Sequence, residues 1–191
     1  MGLSIQYTLT APPETDAARV KEMVHALRRF ASDLQYNGRL DHVGQVTRDT
    51  AMHRWCEEFL SYPCTGLPGR HHEVSVRPLD GWVFVADPGR NCETMTLGLY
   101  RYPLTVRVED RLVRTNLRGW RLKHFCKTQY AGQEGWEHFL RCHKAVIELL
   151  EGAKALGFGV EINDEGGYWP GRNVRKLRRN LGEVKAPLHK A

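Results

Sequence analysis

The sequence lacks any long run of apolar residues. A helix that crosses a bilayer needs roughly 18 or more consecutive apolar residues, and no stretch of this chain approaches that length. Residues 1–6 also lack the basic segment followed by an apolar core that marks a secretory signal. We therefore expect a water-soluble protein that resides in the cytoplasm and has no membrane partner.

The cysteines do not form a pattern typical of a disulfide-stabilised fold. There are five of them, an odd number, and no C-x-x-C pair occurs. Small secreted domains that depend on disulfides carry even sets of cysteines at regular spacing. We expect these cysteines to be free thiols in a reducing compartment.

The motifs of several common enzyme classes are absent. The chain has no G-x-x-x-x-G-K-[ST] loop, no G-x-G-x-x-G after a strand, no H-E-x-x-H and no G-x-S-x-G. None of its serines lies on a nucleophile turn; they are Ser4, Ser32, Ser61 and Ser75. These absences argue against a P-loop protein, a Rossmann domain, a zincin protease and an α/β-hydrolase.

The composition that remains is ordinary for a globular protein. The chain has 191 residues, of which 41% are hydrophobic and 26% charged, values close to the averages for soluble domains. This length suits one domain, which we assign to residues 1–185, with residues 186–191 as a flexible C-terminal tail. The net charge of +6 permits an anionic partner but does not by itself indicate one.

The spacing of apolar residues predicts two long amphipathic helices and a shorter basic one. The long helices are predicted over residues 16–35 and 134–156, because apolar residues recur there at intervals of three and four. Gly157 follows the second of these and is suited to a left-handed stop. The basic helix is predicted after residue 173, with a narrow apolar seam formed by Val174, Leu177, Leu181 and Val184.

Alternation of apolar and polar residues predicts strands in the rest of the chain. Strands are expected at 3–9, 40–46, 94–100, 120–130 and 158–163, with a helix at 49–60. Two hairpins are expected, one around Asp80-Gly81 and one around Glu109-Asp110-Arg111. The prediction is therefore a single α+β domain, with a mainly antiparallel sheet, the two long helices packed on one face and the basic helix at the C-terminus.

Basic residues along the 120–130 strand and the C-terminal helix lead to the first functional hypothesis. A row of cations on a sheet face can track phosphates, with an aromatic ring stacking on bases. The predicted binding residues are Arg118, Arg121, Lys123, Lys127, Gln129, Arg172, Arg175, Arg178 and Arg179. On this hypothesis the protein is a small binding module for nucleic acid or an acidic protein.

The polar loop after residue 163 leads to the second hypothesis, which is an enzyme of hydrolase or transferase type. Asp164 and Glu165 follow a predicted strand and precede Gly166-Gly167, where a ligand could approach the backbone. Carboxylates at such an edge serve as acid and base or hold a metal. The predicted catalytic residues are Asp164, Glu165, His124 and Tyr130.

Histidines and cysteines supply a third candidate site. His124 and Cys126 share a strand face, and His138 and Cys142 share a helix face. If that strand packed on that helix, the four side chains could surround zinc or another divalent metal, although no cofactor is required by the rest of the sequence. The alternative is that the cysteines are small buried apolar residues.

A fourth hypothesis assigns the protein a structural role without catalysis or ligand binding. The apolar seam of the basic helix could dock onto a partner, which would make the protein a scaffold or an oligomer subunit. Whether the chain is an enzyme therefore stays open at this point.

Overall fold

The computed structural model describes residues 3–48, 58–63 and 71–185. Helices in these ranges are α1 (Ala17–Tyr36), α2 (Trp136–Ala155) and α3 (Val174–Lys185), with a 3₁₀ segment at Gln129–Glu134. The strands are β1 (Ser4–Thr10), β2 (His42–Val43), β3 (Glu58–Pro63), β4 (His71–Val76), β5 (Asp80–Asp87), β6 (Met95–Arg101), β7 (Thr105–Val108), β8 (Arg111–Arg114), β9 (Trp120–Lys127) and β10 (Gly159–Asp164).

Six of these strands form one sheet in the order β10-β1-β9-β6-β5-β2. Every neighbouring pair in it is antiparallel. Strands β3 and β4 form a separate two-stranded sheet, and β7 and β8 form another. The prediction of a mixed helix and strand protein with a mainly antiparallel sheet is confirmed.

The alternation of residues along β1 explains how its two faces differ. Ile5, Tyr7 and Leu9 are buried on one face, whereas Gln6 is exposed on the other. Tyr7 pairs with His124 of β9 and with Ile162 of β10, so the three strands share one buried and one open face. A shift of one residue would reverse this arrangement.

Helices α1 and α2 pack on the buried face of the sheet. α1 contacts β5 and β6, α2 contacts β10, and the two helices contact each other. They approach closely at Gly152, where an added Cβ atom would lie 2.1 Å from the ring of Phe30. Asp16 begins α1 by accepting a hydrogen bond from the Arg19 N–H at 2.8 Å. No helix in the described ranges is both long and apolar enough to cross a membrane.

The structure corrects the predicted hairpin at Asp80-Gly81. These two residues begin β5, and that strand pairs with β6 and not with β4. A Cβ atom added to Gly81 would lie 2.2 Å from the ring of Tyr100. The glycine is therefore suited to a close approach between strands, a requirement that looks the same in sequence as a tight turn.

Two further predictions need correction. The helix predicted at 49–60 falls mostly outside the described residues, but its last part, from Glu58, lies in β3. The strand predicted at 120–130 ends earlier, because Lys127 is the last residue of β9 and Tyr130 lies in the 3₁₀ segment. The predicted tail at 186–191 also lies outside the described residues.

Candidate functional site

The carboxylate of Asp164 organises the loop that follows β10. Its Oδ1 accepts a hydrogen bond from the Gly166 N–H at 2.7 Å, and its Oδ2 accepts one from the Trp169 N–H at 2.8 Å. The side chain has no exposed surface. Asp164 thus holds the loop in shape from inside the protein.

Asp164 also lies beside a buried histidine. Nε2 of His143 is 3.3 Å from Asp164 Oδ1, off the line of a good hydrogen bond, and Nδ1 of His143 is 2.9 Å from Thr128 Oγ1. Burial alone would raise the pKa of Asp164, but His143 and the two backbone N–H groups lower it below its ordinary value. Thr128 and His143 are completely buried, so this chain of polar groups is closed to a substrate.

The side chains of the other predicted catalytic residues have surroundings different from those of Asp164. Glu165 accepts hydrogen bonds from the N–H and the hydroxyl of Ser4, at 3.0 and 2.7 Å. His124 lies on β9, next to Tyr7 of the intervening strand β1, and burial lowers its pKa. Tyr130 is 47% exposed on the 3₁₀ segment. The structure therefore does not bring these four side chains to one point.

Most of the predicted basic residues of β9 already have partners. Arg121 pairs with Glu58 at 3.2 Å, and Lys127 pairs with Glu93 at 3.6 Å. The side-chain oxygen of Gln129 accepts a hydrogen bond from the Leu3 N–H at 2.6 Å. The two remaining predicted residues here, Arg118 and Lys123, are exposed.

A shallow groove lies on the open face of β10, β1 and β9. Its volume is about 170 Å³, and the residues that line it include Gln6, Thr8, Lys123, Glu161 and Asn163. Phe125, adjacent to Gln6 in register, is 41% exposed. Because the lining contains one lysine and one glutamate, the charges of the groove balance and it is not a strongly basic surface.

The basic residues of α3 occupy a different part of the molecule. Arg178 lies over the ring of Trp136 in α2, with its Cζ 5.1 Å from the ring centroid. Arg172, just before α3, pairs with Glu151 of α2. Arg172 and Arg178 therefore lie against α2, whereas Lys123 lies on the open face of the sheet.

The apolar side of α3 is covered by the chain itself. Leu177 has no exposed surface and Leu181 is 6% exposed, while Val174 packs against the core. The Asn180 amide donates to the Gly166 carbonyl at 3.0 Å. The predicted partner-docking seam is therefore internal at these positions; the side chain of Val184 lies outside the described residues.

The four predicted metal ligands do not surround one point in the structure. Sγ of Cys142 is 3.5 Å from Nε2 of His138, but His124 lies beside Tyr7 instead. Sγ of Cys126 lies 3.7 Å from Sγ of a third cysteine, Cys92, which also influences the pKa of Cys142. Within the described part of the chain, no group of three or more His, Cys, Asp or Glu side chains is arranged to hold a metal ion.

Sequence reasoning missed Cys92 and the two acidic partners of β9. Cys92 lies in the loop between β5 and β6, and the position of this loop relative to β9 depends on how β6 pairs with that strand. Glu58 and Glu93 are distant in sequence from Arg121 and Lys127, which they neutralise. No local signal in the sequence reveals such pairings.

Taken together, these features define a mixed helix and strand protein with one six-stranded antiparallel sheet and a shallow groove on its open face. Comparison with protein-family models, with curated proteins and with solved structures finds no match.

Proposed function

We propose that this protein binds an anionic polymer, most simply a nucleic acid, through the exposed basic side of α3. In the proposed arrangement, two long amphipathic helices lie on one face of the sheet and the basic C-terminal helix lies alongside them. We assign the contact surface to α3 and not to β9, because most basic groups of β9 are already paired.

The main support for this proposal is a set of exposed basic residues on α3, a helix whose apolar side is buried against the rest of the protein. Arg175, Lys176, Arg178 and Arg179 are all exposed, whereas Leu177 and Leu181 are buried. Arg175 and Arg179 are four residues apart, and Lys176 and Arg179 are three apart, so these three side chains share a face. Among the described side chains, no carboxylate lies within ion-pairing distance of Arg175 or Lys176.

An aromatic ring supports one of the neighbouring guanidinium groups. Arg178 lies over Trp136, with its Cζ 5.1 Å from the ring centroid, whereas Arg172, which lies over Trp169, is already paired with Glu151. Stacking on an aromatic face limits the motion of a guanidinium while leaving its N–H groups able to donate. Planar, forked donors of this kind match phosphate oxygens.

The test is a titration of the full chain into labelled single-stranded and double-stranded DNA and RNA at several salt concentrations. Replacing Arg175 and Lys176 together by glutamate should weaken binding roughly tenfold or more, and should reduce the salt slope by about two. Acidic residues in the first turn of a helix are favourable, so this variant should remain folded.

A charge-matched control separates the two basic regions. The double variant Arg118→Glu and Lys123→Glu changes the net charge by the same amount, but on the loop before β9 and on its open face. If α3 is the contact surface, this control binds as the wild type does. Loss of binding only in the control would transfer the site to the sheet face, and absence of binding at low salt would refute both.

A further inference from the structure

Three thiols from three different parts of the fold meet beneath the loop between β5 and β6. Cys92 comes from that loop, Cys126 from β9 and Cys142 from α2. The sulfur atoms of Cys92 and Cys126 are 3.7 Å apart, and Cys142 is close enough to influence the pKa of the Cys92 thiol. All three are free thiols.

We propose that Cys92 and Cys126 are a redox-sensitive pair that forms a reversible disulfide when the protein meets a low-molecular-weight disulfide. The bond would join the β5–β6 loop to β9. This inference concerns a modification site and is independent of the basic helix.

The distance between the two sulfur atoms carries the inference. At 3.7 Å they touch without being bonded, and a disulfide needs them at about 2.05 Å. Small rotations of both side chains could close this gap, because the backbone already joins the two segments: the Glu93 N–H donates to the Lys127 carbonyl at 3.1 Å. The residues after each cysteine are thus already hydrogen-bonded neighbours.

Accessibility sets the order of the two steps. Cys92 is partly exposed, whereas Cys126 and Cys142 are buried. The Cys92 thiolate attacks a sulfur of oxidised glutathione and releases one glutathione thiolate. The Cys126 thiolate then attacks the Cys92 sulfur of this mixed disulfide and releases the second glutathione. Two protein thiols lose two electrons and two protons, and one molecule of oxidised glutathione becomes two of the reduced form.

The surroundings keep the pair reduced until an oxidant is present. The hydrogen bond to Cys126, together with burial, raises the pKa of the Cys92 thiol well above its ordinary value. The Cys126 thiol donates to the Glu93 carbonyl at 3.0 Å, and the Cys142 thiol donates to the Pro88 carbonyl at 3.4 Å. Because the thiolate is the attacking species, oxidation should be slow, as suits a response to sustained oxidation and not a catalytic thiol.

The test treats the native full chain with oxidised glutathione and then counts free thiols after denaturation. The count should fall from five to three, peptide mapping should find Cys92 joined to Cys126, and dithiothreitol should restore all five. Mapping the wild-type chain needs no substitution, so the proposal can be tested even if a variant fails to fold.

Two variants serve as a matched pair. Cys126→Ser should retain a glutathione on Cys92, whereas Cys142→Ser should form the same disulfide as the wild type. Persistence of all five thiols would overturn the proposal, as would a bond between Cys92 and Cys142. Zinc that copurifies in stoichiometric amount and protects these thiols would also overturn it, by assigning the cluster to a metal.

Discussion

The buried carboxylate of Asp164 allows the sharpest test of how this fold is held together. In Asp164→Asn one carboxylate oxygen becomes an amide that cannot accept a hydrogen bond. The N–H of either Gly166 or Trp169, now bonded at 2.7 and 2.8 Å, then loses its acceptor, and His143 loses the charge 3.3 Å from its Nε2. Losing one charge-assisted bond and leaving a buried donor unpaired should lower the free energy of unfolding by about 2–4 kcal/mol.

Urea denaturation at neutral pH, followed by tryptophan fluorescence, measures this change. The control is Glu161→Gln, which makes the same chemical replacement on an exposed residue of β10 and should change stability by about 0.5 kcal/mol or less. If Asp164→Asn is as stable as this control, Asp164 does not organise the loop and the reasoning fails.

The pH dependence gives an independent check of the same carboxylate. The pKa of Asp164 in the folded protein lies below its ordinary value of 3.8. A carboxyl whose folded pKa is depressed stabilises the protein fully above the unfolded value, and this stabilisation is lost as the pH falls through the folded one. The difference in unfolding free energy between wild type and Asp164→Asn should therefore be constant from pH 7 to 5 and should shrink below pH 3.8. A difference that does not change over this range would contradict the assignment.

Three other substitutions test close contacts, each by urea denaturation. Of the three, Gly98→Ala should lower the free energy of unfolding most, since φ is +134° and the new Cβ would lie 2.1 Å from the Trp82 carbonyl oxygen; a loss smaller than that of Gly166→Ala would contradict this. Gly166→Ala should cost about 1–3 kcal/mol, because its Cβ would meet Leu177 at 2.6 Å; an unchanged midpoint would refute that packing. Tyr7→Phe should lower the free energy of unfolding by about 1–2 kcal/mol, since it removes the 2.7 Å hydrogen bond from the Tyr7 hydroxyl to the Thr96 carbonyl; equal stability would refute the contribution of this bond.

Local periodicity was sufficient to predict much of the secondary structure. Apolar residues at intervals of three and four predicted helix at 16–35 and 134–156, and α1 and α2 occupy Ala17–Tyr36 and Trp136–Ala155. Such spacing is a property of one segment alone, since a helix makes its backbone hydrogen bonds within itself. The hairpin around Glu109-Asp110 is equally local, because β7 and β8 pair directly across it.

Strand pairing is where sequence reasoning failed, because it depends on segments far apart in the chain. β1 lies between β9 and β10, and nothing within residues 4–10 states which partners it takes. The same holds for Gly81, which is needed for contact with Tyr100 of β6 and looks in sequence like a turn. Pattern shows which face of a strand is apolar, but it does not show which strand lies beside it.

The candidate sites show the same difference between what is local in the sequence and what depends on distant segments. The sequence alone determined the residue types: a basic C-terminal segment, an acidic loop after β10 and a set of cysteines without a disulfide pattern. Only the tertiary structure decided which of these groups are available. It paired Arg121 with Glu58, buried Asp164 against His143, left Arg175 and Lys176 exposed and brought Cys92 to Cys126. The physical reason is that charge and thiol chemistry act over a few ångströms, so their effect depends on neighbours that the chain supplies from distant positions.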